Sequence, residues 1–337
     1  MQAVSAVLPS LGLAAPMRTR SRSAGVLASG MRATPALFGS PRRQLCTQQK
    51  SFFSGYISQA GPSLGRRHSR QRQFSLQASG QKDVEDMRRS RILVCSSLAA
   101  AISVPLRMLI SGWLQERKLS QGTVGSALHI PTANALRSDF ADRSAATRDS
   151  LEDVLGISVE SLDLDHYARH AVLDAGRGIP RPDKAAKAEL EDRVSGASML
   201  IVGGGNTFYL QAAVHCSGFG EIAGRHSGER GLPYMGMSAG GIIAGETVAT
   251  AFWKGWDDPA AAPGFDFVGN KGLAQGMNLL DGRAIFPHYD STIHAGLVAE
   301  RRGGLDNPQK LVTLADDEAF VWTRDGSSHQ SDVLRGE

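Results

Sequence analysis

The sequence predicts a doubly wound α/β domain, in which helices cover both faces of a mainly parallel sheet. Short apolar runs alternate along the chain with longer segments of helical spacing, which is the pattern of strand–helix–strand units. The run Met199–Val202 (MLIV) has no polar position, as expected for a central strand that is buried on both sides. Hydrophobic residues make up 42% of the 337 residues, enough for a globular core.

The predicted elements follow one another in a regular order. Strands are predicted at residues 92–95, 127–131, 159–164, 199–202 and 234–237. Helices are predicted between them at residues 101–116, 143–155 and 184–194. Residues 249–278 are rich in Gly and Pro and predict a loop. Further strands are predicted at 284–286, 311–314 and 319–322, and residues 323–326 (TRDG) predict a hairpin turn.

The first 82 residues differ in composition from the rest of the chain. No Asp or Glu precedes Asp83, whereas this segment holds 12 of the 37 Lys and Arg residues. Residues 83–337 therefore hold 25 basic and 33 acidic residues, although the whole chain has a net charge of +4. A basic, Ser-rich and acid-poor leader is typical of an organelle transit peptide. We expect residues 1–82 to be a disordered transit peptide that directs the protein to a chloroplast or mitochondrion. We expect residues 83–337 to be one catalytic domain.

Alternatives remain for the leader, and several partners are disfavoured. A cytoplasmic protein with a basic arm that binds an acidic partner has the same composition. Because the excess of positive over negative charge is confined to the leader, the net charge of the chain does not indicate nucleic-acid binding by the folded part. The longest apolar stretch, residues 92–105, is interrupted by serines and is too short to span a bilayer. We therefore expect no membrane anchor; the oligomeric state is not predicted.

Metal and disulfide chemistry have little support in the sequence. The three cysteines, Cys46, Cys95 and Cys216, are far apart and odd in number, which suits a reducing compartment. His166 and His170 have the i, i+4 spacing of two metal ligands, but no Glu lies between them and no third ligand is evident. We expect a solvated or capping role for both histidines, and neither a metal nor an organic cofactor.

A candidate nucleophile lies in residues 236–240 (GMSAG), directly after the predicted strand Tyr234–Met237. This is the G-x-S-x-G pattern of a nucleophile elbow, in which a sharp strand-to-helix turn exposes the serine hydroxyl. The residues two before and two after Ser238 must be small because strand and helix nearly touch there. The alternative is a glycine-rich turn with an incidental serine.

The other parts of a hydrolytic site follow neighbouring strands. Residues 203–208 (GGGNTF) come directly after Met199–Val202 and can offer backbone N–H groups to an oxyanion. A dinucleotide loop is disfavoured because Phe208 occupies the place of the third glycine of G-x-G-x-x-G. His288 follows the strand at 284–286, so it lies on the same rim of the sheet as Ser238. Three acids, Asp316, Asp317 and Glu318, follow the next strand, and only one of them can orient His288.

These blocks, VGGGNTF from Val202, GMSAG from Gly236, PHY from Pro287 and LAD from Leu314, together resemble the peptidase E (alpha-aspartyl dipeptidase) family of serine peptidases. The resemblance runs from about residue 92 to residue 322. It implies a fold similar to class I glutamine amidotransferases, with serine in place of their cysteine. It also implies a triad in the order serine, histidine, acid.

The resemblance implies roles for individual residues. Ser238 would be the nucleophile, His288 the general base and Asp316 the acid, where the family's aspartyl peptidases have glutamate. Counting back from Gly326 gives Asp317 as the alternative acid. The residues implied for the oxyanion and the substrate are the backbone N–H of Ala239, that of Gly204 or Gly205, and the neighbouring Asn206.

Substrate specificity is less well indicated. Residues 290–300 lack the family's Gly- and Glu-containing stretch, which leads to an arginine that binds the substrate carboxylate. Arg301 and Arg302 lie near the corresponding offset, but a surface helix explains both equally well. His294 is a second candidate base and is expected in a loop.

We therefore expect a serine-type peptidase that acts on short peptides, Asp-X dipeptides among them, through an acyl-enzyme. One alternative is a catalytically silent protein of the same fold that binds a peptide or metabolite. The other is an esterase, whose fold needs the order serine, acid, histidine. The only histidine after the acid cluster is His329, in a polar segment expected to be mobile.

Overall fold

The computed structural model of this protein describes residues 89–122, 125–174 and 179–335. The predicted leader, residues 1–82, lies outside these ranges. The strands are β1 (Arg89–Cys95), β2 (Ala127–Ile130), β3 (Val159–Ser161), β4 (Val172–Asp174), β5 (Ile179–Arg181), β6 (Met199–Val202), β7 (Tyr234–Met237), β8 (Ala284–Phe286), β9 (Leu311–Thr313), β10 (Glu318–Asp325) and β11 (Ser328–Arg335).

The helices lie between these strands, with short 3-10 turns and one π-helical segment, Gly224–Glu229. They are α1 (Leu98–Ala101), α2 (Val104–Gln121), α3 (Phe140–Leu155), α4 (Leu164–Ala168), α5 (Lys184–Ser195), α6 (Thr207–Ser217), α7 (Phe219–Ala223), α8 (Ala239–Ala244), α9 (Lys271–Ala274) and α10 (Ser291–Arg301).

Within the described ranges, seven strands form the main sheet in the order β11-β10-β1-β7-β6-β2-β3. The five strands from β1 to β3 in this order are mutually parallel. Strand β10 pairs antiparallel with β1, and β11 pairs antiparallel with β10. Strands β8 and β9 form a separate parallel pair, and β4 and β5 form an antiparallel one. The predicted mainly parallel α/β architecture is confirmed.

Both faces of the sheet are buried along its central strands, β1, β7, β6 and β2. Along β1, Ile92 and Val94 contribute to one hydrophobic cluster, whereas Leu93 and Cys95 contribute to the other. Helices α2 and α3 cover the second face, and α5, α6 and α8 cover the first. All four residues of β6 are fully buried, as the apolar run predicted. Because the strands are shielded on both sides, polar chemistry is restricted to the rims of the sheet.

Some predicted boundaries are wrong, each for a local reason. The strand predicted at 159–164 ends at Ser161, because Asp163 caps α4 and accepts a hydrogen bond from the N–H of Asp165. The hairpin turn lies about two residues beyond the predicted one, with Gly326 at φ 61° between β10 and β11. The segment around His329 was expected to be mobile but forms the edge strand β11, whose mostly exposed side chains gave no apolar signal.

Residues 249–278 contain single helical turns but no strand in the described structure, close to the predicted loop. In the part of the chain that the structure describes, no helix combines the length and the apolarity needed to span a membrane.

Candidate active site

The candidate residues follow the carboxyl ends of strands in the main sheet and in the separate β8–β9 pair, and not of one continuous sheet as the sequence predicted. Ser238 directly follows β7, and the glycine loop 203–205 directly follows β6. His288 follows β8, and Asp316 follows β9. Parallel α/β sheets place ligand sites at this edge because all strands end there on the same side.

Ser238 occupies a strained turn between β7 and α8. Its backbone has φ 49° and ψ −108°, which is unusual for a residue with a side chain. A Cβ on Gly236 would lie 2.4 Å from the carbonyl oxygen of Gly240, and one on Gly240 would lie 2.2 Å from that of Val202. The two glycines of the motif are therefore required by the close approach of α8 to β6 and β7.

Hydrogen bonds hold this elbow in place. The N–H of Ser238 donates to the carbonyl oxygen of Cys95 at 2.8 Å, which ties the turn to β1. The buried hydroxyl of Tyr234 donates to the carbonyl oxygen of Gly240 at 2.7 Å. Burial raises the pKa of Tyr234 well above its usual value, so the phenol stays protonated and keeps donating.

Ser238, His288 and Asp316 form a continuous chain of side-chain contacts. Nε2 of His288 lies 2.9 Å from Oγ of Ser238, and Nδ1 lies 2.5 Å from Oδ1 of Asp316. A carboxylate accepts only, so it fixes the imidazole proton on Nδ1 and leaves the lone pair of Nε2 facing the serine hydroxyl. The arrangement can remove the hydroxyl proton as the oxygen attacks a carbonyl. The imidazole is 26% exposed and the Asp316 carboxylate 77%.

The three neighbouring acids are used differently. Asp316 contacts His288, whereas Asp317 is exposed on the turn. Glu318 accepts hydrogen bonds from the N–H of Ala315 at 2.9 Å and from Nε of Arg335 at 3.1 Å. Glu318 thus shapes the turn that presents Asp316, and the geometry favours Asp316 over Asp317 as the partner of the imidazole.

Two serines that sequence reasoning missed hold the histidine and the acid. His288 has φ 53°, and its N–H donates to Oγ of Ser96 at 2.9 Å. The Ser96 hydroxyl in turn donates to the carbonyl oxygen of Leu314 at 2.9 Å. Oγ of Ser97 donates to the carbonyl oxygen of Asp316 at 2.8 Å. Their position directly after β1 was the available signal, because hydroxyl side chains there must face the same rim as Ser238.

The glycine loop lies against the elbow. A Cβ on Gly204 would lie 3.1 Å from Cβ of Ser238, so this backbone borders the serine directly. Gly205 has φ 142°, and a Cβ there would lie 2.3 Å from the carbonyl oxygen of Ala133. None of the hydrogen bonds in the described part of the chain uses the N–H of Gly204 or of Ala239. Their role as oxyanion donors stays a prediction.

Asn206 has a structural task in this loop. Its Oδ1 accepts a hydrogen bond from the N–H of Tyr209 at 2.9 Å and so caps α6. Its Nδ2 donates to the carbonyl oxygen of Asp258 at 3.0 Å. Both ends of the amide are thus occupied, and substrate contact by Asn206 stays a prediction.

Residues 253–258 form a wall that the sequence analysis treated only as loop. Asp257 accepts a hydrogen bond from the N–H of Thr207 at 3.2 Å, and the ring centroid of Trp256 lies 5.8 Å from that of His288. Nζ of Lys254 donates to the carbonyl oxygens of Pro287 at 2.5 Å and of His288 at 3.3 Å. Burial lowers the pKa of Lys254 to about 8 and raises that of Asp257. The sequence signal for this wall was Lys254 between Trp253 and Trp256, because a cation and two aromatic rings so close together are unusual in a plain loop.

Other candidate residues lie elsewhere. His294 is in α10 and not in the expected loop, and its Nδ1 accepts the N–H of Asp290 at 2.9 Å rather than contacting Ser238. The ring of His329 lies 4.9 Å from that of Trp322 on the edge hairpin. The esterase alternative needs a catalytic histidine after the acid, and His329, the candidate for it, does not lie with Ser238.

The remaining polar candidates also lie apart from the triad. Arg301 ends α10, and Arg302 donates to the carbonyl oxygen of Pro308 at 2.9 Å. Both are exposed, about 16 Å along the helix from its start near His288. Among the described residues, no three His, Cys, Asp or Glu side chains cluster as metal ligands would. Burial raises the pKa of the Cys95 and Cys216 thiols to about 12, so neither is a reactive thiolate.

Comparison with known proteins adds sequence evidence. Residues 180–330 match the sequence profile of peptidase family S51. An uncharacterized peptidase of Pasteurella multocida (strain Pm70) is 32% identical over 125 residues, which cover 36% of this chain and 55% of that protein. The protein named Peptidase E of Nostoc sp. (strain PCC 7120) is 33% identical over 114 residues, 32% of this chain and 40% of that protein. The chain thus spans only about half the length of these relatives, or less.

Solved structures were also compared. A peptidase E protein from Listeria monocytogenes EGD-e aligns with a TM-score of 0.46 and 18% identity, over 73% of this chain and 99% of that one. A peptidase from an acI-B1 Actinobacterium aligns with a TM-score of 0.47 and 14% identity, over 74% and 98%. The segment matched by the family profile, residues 180–330, contains the glycine loop, the elbow, His288 and Asp316. Through residues 180–330 the chain is therefore similar to peptidase family S51 and to the protein named Peptidase E.

Proposed function

We propose that this protein is a serine-type peptidase that hydrolyses short peptides through an acyl-enzyme. The observation that carries the proposal is the chain of contacts from Ser238 through His288 to Asp316, built on the rim where parallel sheets bind ligands. The similarity of residues 180–330 to peptidase family S51 supports the same reaction class.

In the first step, Oγ of Ser238 attacks the peptide carbonyl carbon while Nε2 of His288 accepts the hydroxyl proton. The carbonyl oxygen gains negative charge and would be held by the N–H groups of Ala239 and of Gly204 or Gly205. Asp316 stabilises the imidazolium that forms and keeps the ring oriented. His288 then gives its proton to the leaving amine as the C–N bond breaks.

In the second step, water hydrolyses the acyl-enzyme. His288 accepts a proton from the water as its oxygen attacks the ester carbonyl, and returns that proton to Oγ of Ser238 as the ester bond breaks. The product acid leaves and the free serine is restored. These two steps use the proposed triad, the proposed oxyanion donors and water.

Asp-X dipeptides are the first substrates to test, because the family resemblance implies them. A panel in which each N-terminal residue is joined to leucine should be incubated with the full chain and with Ser238→Ala. We expect release of free leucine from at least one dipeptide and a loss of about 10⁴-fold or more in Ser238→Ala. Equal rates for the two proteins would refute the proposal.

The composition of residues 1–82 supports a second proposal, that this leader directs the protein to a chloroplast or mitochondrion. Fusing residues 1–82 to a fluorescent protein in plant cells should send the signal to one of these organelles. A fusion in which every arginine of the segment is replaced by glutamine is the control. Cytoplasmic fluorescence from the unmodified fusion would favour the alternative of a retained basic arm.

A further inference from the structure

A pocket of about 530 Å³ opens beside the imidazole of His288. Of the three residues proposed for catalysis, His288 and Asp316 line this pocket and Ser238 does not. Its volume lies within the usual range of small-molecule sites, about 300–1,000 Å³. The remaining lining combines apolar side chains with polar groups; it consists of Trp253, Lys254, Trp256, Asp290, Ile293, His294 and Leu297.

Two apolar side chains of the lining are unusually exposed. Trp256 is 66% exposed and Ile293 is 70% exposed, although both are large hydrophobic residues. They come from different elements, the wall at 253–258 and helix α10, and both line the same pocket. Apolar side chains exposed together around a concave surface are typical of a ligand site.

Two side chains that can donate hydrogen bonds, Lys254 and His294, line the same pocket. Nζ of Lys254 has three N–H donors, and the described hydrogen bonds to Pro287 and His288 use two of them. The ammonium also lies 4.1 Å from the ring centroid of Trp256. His294 accepts the N–H of Asp290 on Nδ1, so in its neutral form the ring carries its proton on Nε2. The third donor of Lys254 and Nε2–H of His294 suit the two oxygens of a carboxylate.

The two carboxylates that line the pocket already have partners. Oδ1 of Asp290 accepts hydrogen bonds from the N–H and the hydroxyl of Thr292, at 2.8 and 2.6 Å. Asp316 is paired with His288. Their negative charge is therefore partly offset locally, whereas the hydrogen bonds of Lys254 go to neutral carbonyl groups. The lysine charge also interacts with Asp316 and Asp257.

We propose that this pocket binds the leaving-group residue of the substrate, a C-terminal amino acid with an apolar side chain and a free α-carboxylate. The inference rests on the proposed function. His288 must protonate the leaving amine, so that residue lies on the imidazole's side of Ser238, where the pocket begins. The carboxylate binds Lys254 and His294, and the side chain contacts Trp256 and Ile293.

The carboxylate contact is tested with a dipeptide X-Leu and its C-terminal amide, where X is the N-terminal residue that the panel selects. We expect kcat/KM of the wild-type protein to favour the free acid by about tenfold or more, as a charge-assisted contact implies. Lys254→Met should reduce this preference to about twofold or less, whereas Lys254→Arg should retain most of it. If Lys254 only positions His288, Lys254→Met lowers both rates equally and keeps the preference, which would overturn the inference.

The apolar contact is tested with X-Leu and X-Gly. Ile293→Asp should lower the ratio of their kcat/KM values about tenfold, because it places a charge against the leucine side chain. Met108→Asp is the matched control, since Met108 is 71% exposed on α2 and lies outside the pocket. An unchanged ratio in Ile293→Asp would overturn the apolar assignment. Absence of Ser238-dependent hydrolysis with every dipeptide would instead refute the proposed function, and the inference with it.

Discussion

The hydroxyl of Ser96 offers the sharpest test of how the fold positions the histidine. It accepts the N–H of His288 and donates to the carbonyl oxygen of Leu314, both at 2.9 Å, and its residue is 1% exposed. Ser96→Ala removes both bonds. The carbonyl oxygen of Leu314 keeps a second partner, the N–H of Tyr289 at 2.7 Å. Only the N–H of His288 therefore loses its partner.

The magnitude follows from that single loss. A donor left unsatisfied in a mostly buried position costs about 1–3 kcal/mol of unfolding free energy. For a domain of this size, that corresponds to a decrease in melting temperature of about 2–10 °C. The positive φ of His288 is itself strained by about 1–3 kcal/mol, so the backbone has a reason to relax once the bond is gone. Relaxation would move Nε2 away from Ser238, and we expect a 10- to 100-fold decrease in kcat, on the order of the cost of a misplaced catalytic group.

The assay combines thermal unfolding of the full chain with hydrolysis of the selected dipeptide. Ser198→Ala is the matched control, because Ser198 is also 1% exposed and its hydroxyl has no hydrogen-bond partner among the described residues. It precedes β6, at the opposite end of that strand from the glycine loop. We expect little change in stability or rate for this variant. If Ser96→Ala matches Ser198→Ala in both measurements, Ser96 does not position His288.

Three further outcomes are expected. Asp316→Asn should lower kcat about 100-fold or more, because the amide no longer fixes the imidazole tautomer. Asp317→Asn should keep kcat within about twofold of the wild-type value. Equal effects of the two variants in steady-state hydrolysis would contradict the assignment of Asp316. Tyr234→Phe should lower the unfolding free energy by about 0.5–1.5 kcal/mol, measured by denaturant titration, because the hydrogen bond from its hydroxyl to the carbonyl oxygen of Gly240 is lost. The ratio of kcat/KM for the free dipeptide to kcat/KM for its C-terminal amide should be high below pH 7. It should decline as the pH rises through about 8, where Lys254 loses its proton. Hydrolysis of the amide at each pH is the reference. A preference that persists to pH 10 would exclude Lys254 as its source.

The sequence predicted those features whose backbone geometry or burial requires particular residue types. The tight turn at Ser238 requires Gly236 and Gly240, and both were visible in the motif. The buried strand β6 was visible as an unbroken apolar run. The meeting of Ser238, His288 and an acid was predicted from the ends of their strands, although β8 and β9 form a pair outside the main sheet.

Features that depend on tertiary contact were not predictable. Asp316 and Asp317 are adjacent and chemically identical, and only the turn shaped by Glu318 and Arg335 decides which carboxylate faces His288. Ser96 has no distinguishing signal in the sequence, because its partners His288 and Leu314 follow the distant strands β8 and β9. Lys254 lies in a segment without periodicity, and its hydrogen-bond partners are more than 30 residues away in the sequence.

The central claim is that Ser238 is a nucleophile activated by His288, and one labelling experiment tests it most directly. The full chain, Ser238→Ala and His288→Ala would be treated with a fluorophosphonate probe, and the modified residue identified by peptide mass spectrometry. We expect rapid modification of Ser238 in the wild-type protein, none in Ser238→Ala, and a rate at least about 100-fold lower in His288→Ala. Modification of another residue, or labelling of His288→Ala at the wild-type rate, would contradict this account.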